Sequence, residues 1–399
     1  MRPRTLAGYA ALAAVICCAG CTATASTQPV VIRSLTSPGC STAIAKAPLV
    51  TGVRTAMTPA GGSPFGVVVT ADHRWAFVSV MSAIEVLRLR GPLAPVQVRT
   101  IPVSAGAGAG ALGEALTPDG RYLLAASGSG AVVISVARAE RGSSGAVLGT
   151  LRDPRGGSGA IEVAVSRDGR FAFVTQEDSA TAAVFDLSKG FGTADFTGGI
   201  PLGLAPVGMA ISPDGRWLYA TSEIAKGGAL GPRPGGRTGT LTVIDVRRAE
   251  TDPATSVVAT VPAGCGPVRV VTSADGDEVW VTARESDDLL CFSAARLRTE
   301  PARALEAVVR VGEAPVGLAL VQGGTRIVVA DSNRFGTGAS ADLGIVNVTT
   351  ALAGRPAMIG HVPAGRFPRE MALEPGGGTL LVTNFASDQL ETVSVATIP

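Results

Sequence analysis

The sequence predicts an all-β fold, a seven-bladed β-propeller of four-stranded antiparallel blades closed by an N-terminal outer strand in the last blade. Three observations predict it. One hairpin is written seven times, spaced by about 46 to 53 residues with one interval near 60. Two further short apolar runs follow each copy except the last, which has one. No apolar stripe of 3.6-residue period runs through the repeat, so helices are not its building unit.

The hairpin is clearest at Pro206–Ser222. Val207, Met209 and Ile211 alternate with smaller residues, as a strand requires. Ser212-Pro-Asp-Gly215 is a tight turn, and Trp217-Leu-Tyr-Ala-Thr221 returns as a second strand of good β-formers. The other copies start at Pro64, Leu112, Ile161, Val268, Val316 and Arg369. A third strand such as Leu241–Asp245 and a fourth such as Val257–Val261 complete each blade. The seventh copy lacks a fourth strand, so Leu49–Met57 is expected to supply it and remove the open edge between the ends of the ring.

The segments Ser212–Thr221, Thr242–Asp245 and Val257–Gly264 resemble the YVTN-family β-propeller repeat. Phe173-Val-Thr-Gln176 and Leu381-Val-Thr-Asn384 echo its eponymous tetrapeptide, and the resemblance covers roughly residues 48–399. It implies the propeller fold and kinship with YncE-like and lactonase-like propellers. It implies no single activity, since one fold carries many functions.

The N-terminus reads as an address. Arg2 and Arg4 precede an uncharged run from Leu6 to Cys18, the pattern of a secretory signal peptide. Cys18-Ala-Gly-Cys21 resembles a lipobox with Cys18 at the usual leucine position, which makes Cys21 the lipidation site. The alternative is simple cleavage near Ala23–Ala25. Either reading puts the mature protein outside the cytoplasm, as a lipoprotein anchored in the cell envelope or as a secreted protein. The expected organisation is signal peptide 1–21, tether or arm 22–47 and propeller 48–399.

Loss of Arg2 and Arg4 leaves 32 basic residues against 32 acidic ones. That balance argues against nucleic acid as a partner. Membrane contact is expected only through the lipid anchor, and the protein is expected to be a monomer. Beyond the signal and Cys21, three cysteines remain: Cys40, Cys265 and Cys291. Cys265 and Cys291 fall two strands apart, about 9.5 Å, which is too far for a disulfide. Buried free thiols are the expectation, and pairing of Cys40 with either has no sequence support.

Chemistry is expected where inner strands begin and second strands end. The residues at the strand starts are Gly66, Gly113, Glu162, Gly208, Arg269, Gly317 and Glu370. Glu162, Glu370 and Arg269 are the candidate catalytic groups, expected near the mouth of the central channel. The candidate binding rim is Glu114, Gln176, Glu177, Glu223, Arg284, Glu285, Asp331, Asn333, Arg369 and Asn384. Long insertions at 223–239 and 334–342 fall on the same side. Mutual neutralisation of Glu162, Arg269 and Glu370 is weighed against a ligand site. No cofactor is expected. Hard oxygens at Asp331, Asn333, Asp287 and Asp288 leave a divalent cation in the channel as an open alternative, without calcium-loop spacing. His73 and His361 are the only histidines, and neither is expected to act as a metal ligand or catalyst. Gly156–Ala160 falls short of a nucleophile elbow.

The expected function is an extracytoplasmic binding scaffold that takes a protein, peptide or glycan at the loop-rich rim. The alternative is a lactonase-like hydrolase or lyase that uses the acidic residues of the channel mouth.

Overall fold

The computed structural model describes residues 40, 42–91, 93–103, 110–192, 195–226, 238–336 and 341–399. The residues expected to form the signal peptide, Cys21 among them, and most of those expected to form the tether lie outside the described residues. Seven four-stranded antiparallel sheets form the seven blades of an all-β propeller. In each blade the chain runs outward through consecutive strands. Blade four is Leu204–Ile211, Trp217–Ile224, Thr238–Asp245 and Val257–Cys265.

Blade seven breaks this order. Its inner three strands are Pro368–Leu373, Thr379–Asn384 and Gln389–Ser394, and its outer strand is Thr55–Pro59 from the other end of the chain. Thr55 pairs with Val393 and Pro59 with Gln389, antiparallel. Closure therefore occurs as the strand count requires, but later than Leu49. Leu49 instead bridges His361 in parallel on the outer strand of blade six.

Alternating small and branched residues put apolar side chains on both faces of every blade, where they meet the next blade. Seven apolar clusters result, each built from two adjacent blades. Trp280, Tyr219, Phe77 and Phe173 are fully buried in them. Cys291 is a free thiol inside the cluster between blades five and six, and burial pushes it well up.

The turn motif works through hydrogen bonds. The Trp217 N–H donates to Ser212 Oγ at 3.0 Å, and the Arg216 N–H donates to Asp214 Oδ1 at 3.1 Å. Thr117 with Asp119 and Ser273 with Asp275 repeat the arrangement. The third strands end in a feature the repeat does not announce. Asp245, Ser135, Ser293 and Asn347 are N-caps, each accepting from a backbone N–H of a short helix that leads to the fourth strand.

The cysteine expectation is corrected. Cys40 and Cys265 form a disulfide with Cα atoms 5.4 Å apart. From there the N-terminal arm crosses the outside of the ring. The Ala45 N–H donates to the Val311 carbonyl at 2.8 Å, Val50 donates to His361 at 2.8 Å, and His361 donates to Pro48 at 3.1 Å. The arm then enters blade seven. The sequence hides this pairing because the two cysteines are 225 residues apart.

Candidate binding site

The inner strands of blades three to seven bulge at their start. In blade three Ala160 pairs with Gln176 and Val163 with Val174, so Ile161 and Glu162 share one place in the ladder. The same slip precedes Met209, Val270, Leu318 and Met371. A bulge turns its residues out of register with the strand beyond, here toward the axis of the ring.

A threonine on the second strand holds the bulge in blades three, four, five and seven, while blade six has Ala330 at that place. The Gly208 N–H donates to Thr221 Oγ1 at 2.9 Å, and that hydroxyl donates to the Val268 carbonyl of the next blade at 2.7 Å. Thr175, Thr282 and Thr383 do the same under Glu162, Arg269 and Glu370, and Ser79 does so under Gly66. The threonine of the tetrapeptide is thus an inter-blade clasp.

Two layers of side chains follow. Phe65, Ile161, Val207, Val268 and Val316 are buried together as an apolar plug, with Leu112, Phe367 and Phe385 packed against them. Arg369 occupies the blade-seven place in this layer. Its guanidinium lies 3.7 Å from the Phe65 ring centre, 5.4 Å from Phe367 and 5.5 Å from Phe385. Burial, and then Arg269, depress its guanidinium to about 9.

The second layer is charged. Arg269 donates from Nε to Glu370 Oε1 and forms an ion pair with the same carboxylate through Nη2, which also stands 3.5 Å from Glu162 Oε2. These three side chains come from blades seven, five and three. The blades between them carry glycine, because a Cβ at Gly208 or Gly317 would strike the next blade's carbonyl oxygen. Burial opposes the Arg269 charge, but Glu370 and Glu162 outweigh it and hold its pKa above the ordinary value. Burial raises Glu162 to about 8 against the pull of Arg269, with Glu370 adding repulsion. Glu114, 8% exposed, is raised well above the ordinary range by burial and then by Glu162. Neither oxygen of Glu114 has a hydrogen-bond partner.

A cavity of about 370 Å³ begins at this charged layer. Its walls continue through Val69, Leu116, Met209, Val271 and Ala372, all half-buried and most of them just before the turns. No residue of the buried plug lines it. The charged column therefore sits behind the plug and faces the turn side of the ring. The expectation of a charged mouth on the long-loop side is corrected, because the bulge and plug put the column deeper.

The loop side carries a second set of groups. Glu223 and Arg284 pair at 2.8 Å. Arg284 lies 5.9 Å from the ring centre of Phe335, which is 39% exposed, and Arg334 lies 5.8 Å from Phe367. Burial and then Glu223 raise the Glu177 carboxyl. Burial and then Arg284 lower Arg334.

Among the sequence candidates, Glu177, Glu223 and Arg284 come together on this rim, with Arg369 at its centre in the plug. Glu114, Glu162, Arg269 and Glu370 come together in the cavity. Four others are buried. Gln176 donates to the Ser129 carbonyl and accepts from Thr181, and Asn384 donates to Glu391. Asp331 is buried opposite Asp342, and burial followed by that neighbour's charge raises it. Glu285 is buried, and its N–H donates to the Cys265 carbonyl at 2.8 Å. Asn333 stands at the loop turn with φ of 46°. Among the described residues no group of three or more His, Cys, Asp or Glu side chains could hold a metal ion.

Known proteins match this chain in shape. A chain of the Kuenenia stuttgartiensis hydrazine synthase aligns with a TM-score of 0.61 at 16% identity, over 88% of this chain and 100% of that one. A chain of the mitotic checkpoint complex aligns with a TM-score of 0.65 at 14% identity, over 92% and 99%. The likeness is one of fold. No protein-family model and no curated protein matches the chain.

The sequence reading missed the aromatic surround of Arg369. A signal was present. In the residues just before the strand-start column, Phe65, Leu112, Ile161, Val207, Val268 and Val316 are apolar and Arg369 alone is charged.

Proposed function

We propose that the protein is an extracytoplasmic propeller scaffold that binds a protein or peptide partner at its long-loop face. One observation carries the reading. That face is closed over the axis by the plug and presents Glu177, Glu223 and Arg334 beside the exposed Phe335, with Arg284 buried beneath them in its ion pair with Glu223. A closed surface with an aromatic anchor and arginines suits a macromolecular interface better than a small-molecule pocket. The resemblance of the repeat to YVTN and YncE-like propellers supports a scaffold, and a similar fold occurs within a mitotic checkpoint complex. The signal pattern and Cys21 support lipid anchoring in the cell envelope.

A photo-crosslinking side chain at Phe335 tests the interface, with the same probe at Arg216 on the turn face as control. A partner captured from Phe335, and lost with Arg284→Ala, is expected. Equal capture from both faces overturns the reading. Membrane fractionation of Cys21→Ser tests the anchor, which predicts its release to the soluble fraction.

A second reading has one observation in its favour. Glu162, Arg269 and Glu370 converge on one cavity, with Glu162 held at about 8, in the range of a general acid or base. A lactone and ester hydrolysis screen tests it. Turnover abolished by Glu162→Gln or Glu370→Gln replaces the scaffold reading with a lactonase-like one.

A further inference from the structure

The central cavity holds more acid than its one cation balances. Arg269 is committed to Glu370 and Glu162. Glu114 stands beside them, more than nine-tenths buried and with both carboxyl oxygens unpartnered. Arg369 does not pair with Glu114, because its guanidinium packs over Phe65 in the plug. Burying an ionisable group without a partner costs several kcal/mol, and proteins rarely keep one except for a purpose.

The rest of the cavity is apolar, through Val69, Leu116, Met209, Val271 and Met371. These residues are half-buried, so they meet solvent on the turn side. The site thus has a polar end rich in acceptors and an apolar shaft. Its volume of about 370 Å³ falls within the usual range for small-molecule sites.

We propose that the turn-side cavity is a binding site for a small amphiphilic amine, whose ammonium group is received by Glu114 and Glu162 and whose hydrocarbon tail lies along the valine, leucine and methionine walls. Burial keeps the Glu114 and Glu162 carboxyls protonated while the cavity is empty, and an entering ammonium group, which donates three hydrogen bonds and accepts none, favours their ionised, acceptor-only form. A carboxylate-headed ligand finds one cation there, Arg269, whose charge is already offset by the ion pairs with Glu370 and Glu162, so little compensates the burial of its own charge. A metal ion finds no suitable ligand set among the described residues. The site lies on the opposite side of the plug from the proposed partner interface, so either assignment stands or falls alone.

The test is isothermal titration calorimetry of the full chain with n-hexylammonium, 1-hexanol and hexanoate. Hexylammonium is expected to bind, hexanol roughly tenfold or more weakly, and hexanoate with no measurable heat. Glu114→Gln is expected to weaken hexylammonium binding roughly tenfold while hexanol binding stays as it was. Leu116→Trp fills the shaft and is expected to abolish binding of both. Should Leu116→Trp fail to fold, Glu114→Gln decides alone. Hexanol binding as tightly as hexylammonium, an unchanged Glu114→Gln titration, or no binding of hexylammonium to the folded protein each overturns the assignment.

Discussion

Thr383 accepts from the Glu370 N–H and donates to the Phe65 carbonyl, so one hydroxyl joins the last blade to the first. Valine has the same shape without the hydrogen bonds. Thr383→Val is expected to destabilise the protein by about 1–3 kcal/mol in urea unfolding, with Thr383→Ser recovering most of the loss. A full-strength Thr383→Val protein removes the clasp from the account of ring closure. The charged layer gives a second prediction at this scale. Glu162 titrates at about 8 in the folded chain against an ordinary 4.5. Between those values the folded chain keeps a proton that the unfolded chain has released, so stability falls as pH rises from 4.5 to about 8. Glu162→Gln should make that decline shallower in denaturant titrations across the range. The threonine was readable as a repeated letter, but its role was not. The alternation of the sequence does not reveal the bulge that lifts Glu162, Arg269 and Glu370 behind Phe65 and its neighbours.

At the scale of elements, the hairpins were legible because their turns depend on local chemistry. Ser212, Asp214 and Gly215 act within a few residues of one another. The short helices were not legible, because Asp245 ends a strand and caps a helix with one side chain. The arm was half legible. Counting strands called for an N-terminal outer strand, while its contacts with blade six and its disulfide join residues far apart in sequence. Deleting residues 48–58 is expected to lower the unfolding temperature by roughly 10 °C or more. An unchanged midpoint contradicts the pairing of Thr55–Pro59 with Gln389–Ser394. Cys40→Ser is expected to cost about 2–4 kcal/mol without loss of the fold, measured under non-reducing conditions.

At the scale of the molecule, seven apolar clusters each span two blades, and the closing strand leaves no terminal blade with a bare face. An open array of repeats frays from its ends, because each unit has only nearest neighbours. A closed ring has no end to fray. Scanning calorimetry should therefore show one cooperative transition with matching calorimetric and van't Hoff enthalpies. Several transitions in the intact protein contradict this. The plug also divides the molecule into two sides, with a charged rim on one and the cavity on the other. The fold was legible because seven copies average out local ambiguity. The two-sidedness was not, since it depends on which carbonyls and side chains meet at the axis.

The Cys40–Cys265 bond also sets a path for mechanical load. Tension on the chain upstream of residue 40 enters the ring through a covalent link at the end of blade four. The strand at Thr55–Pro59 then carries no force and is not unzipped from its end. With the disulfide reduced, the same pull loads the contacts of Ala45, Pro48 and Val50 one after another before reaching that strand. The redox state of one bond thus decides whether the protein is held by a rigid mount or by a seam that peels.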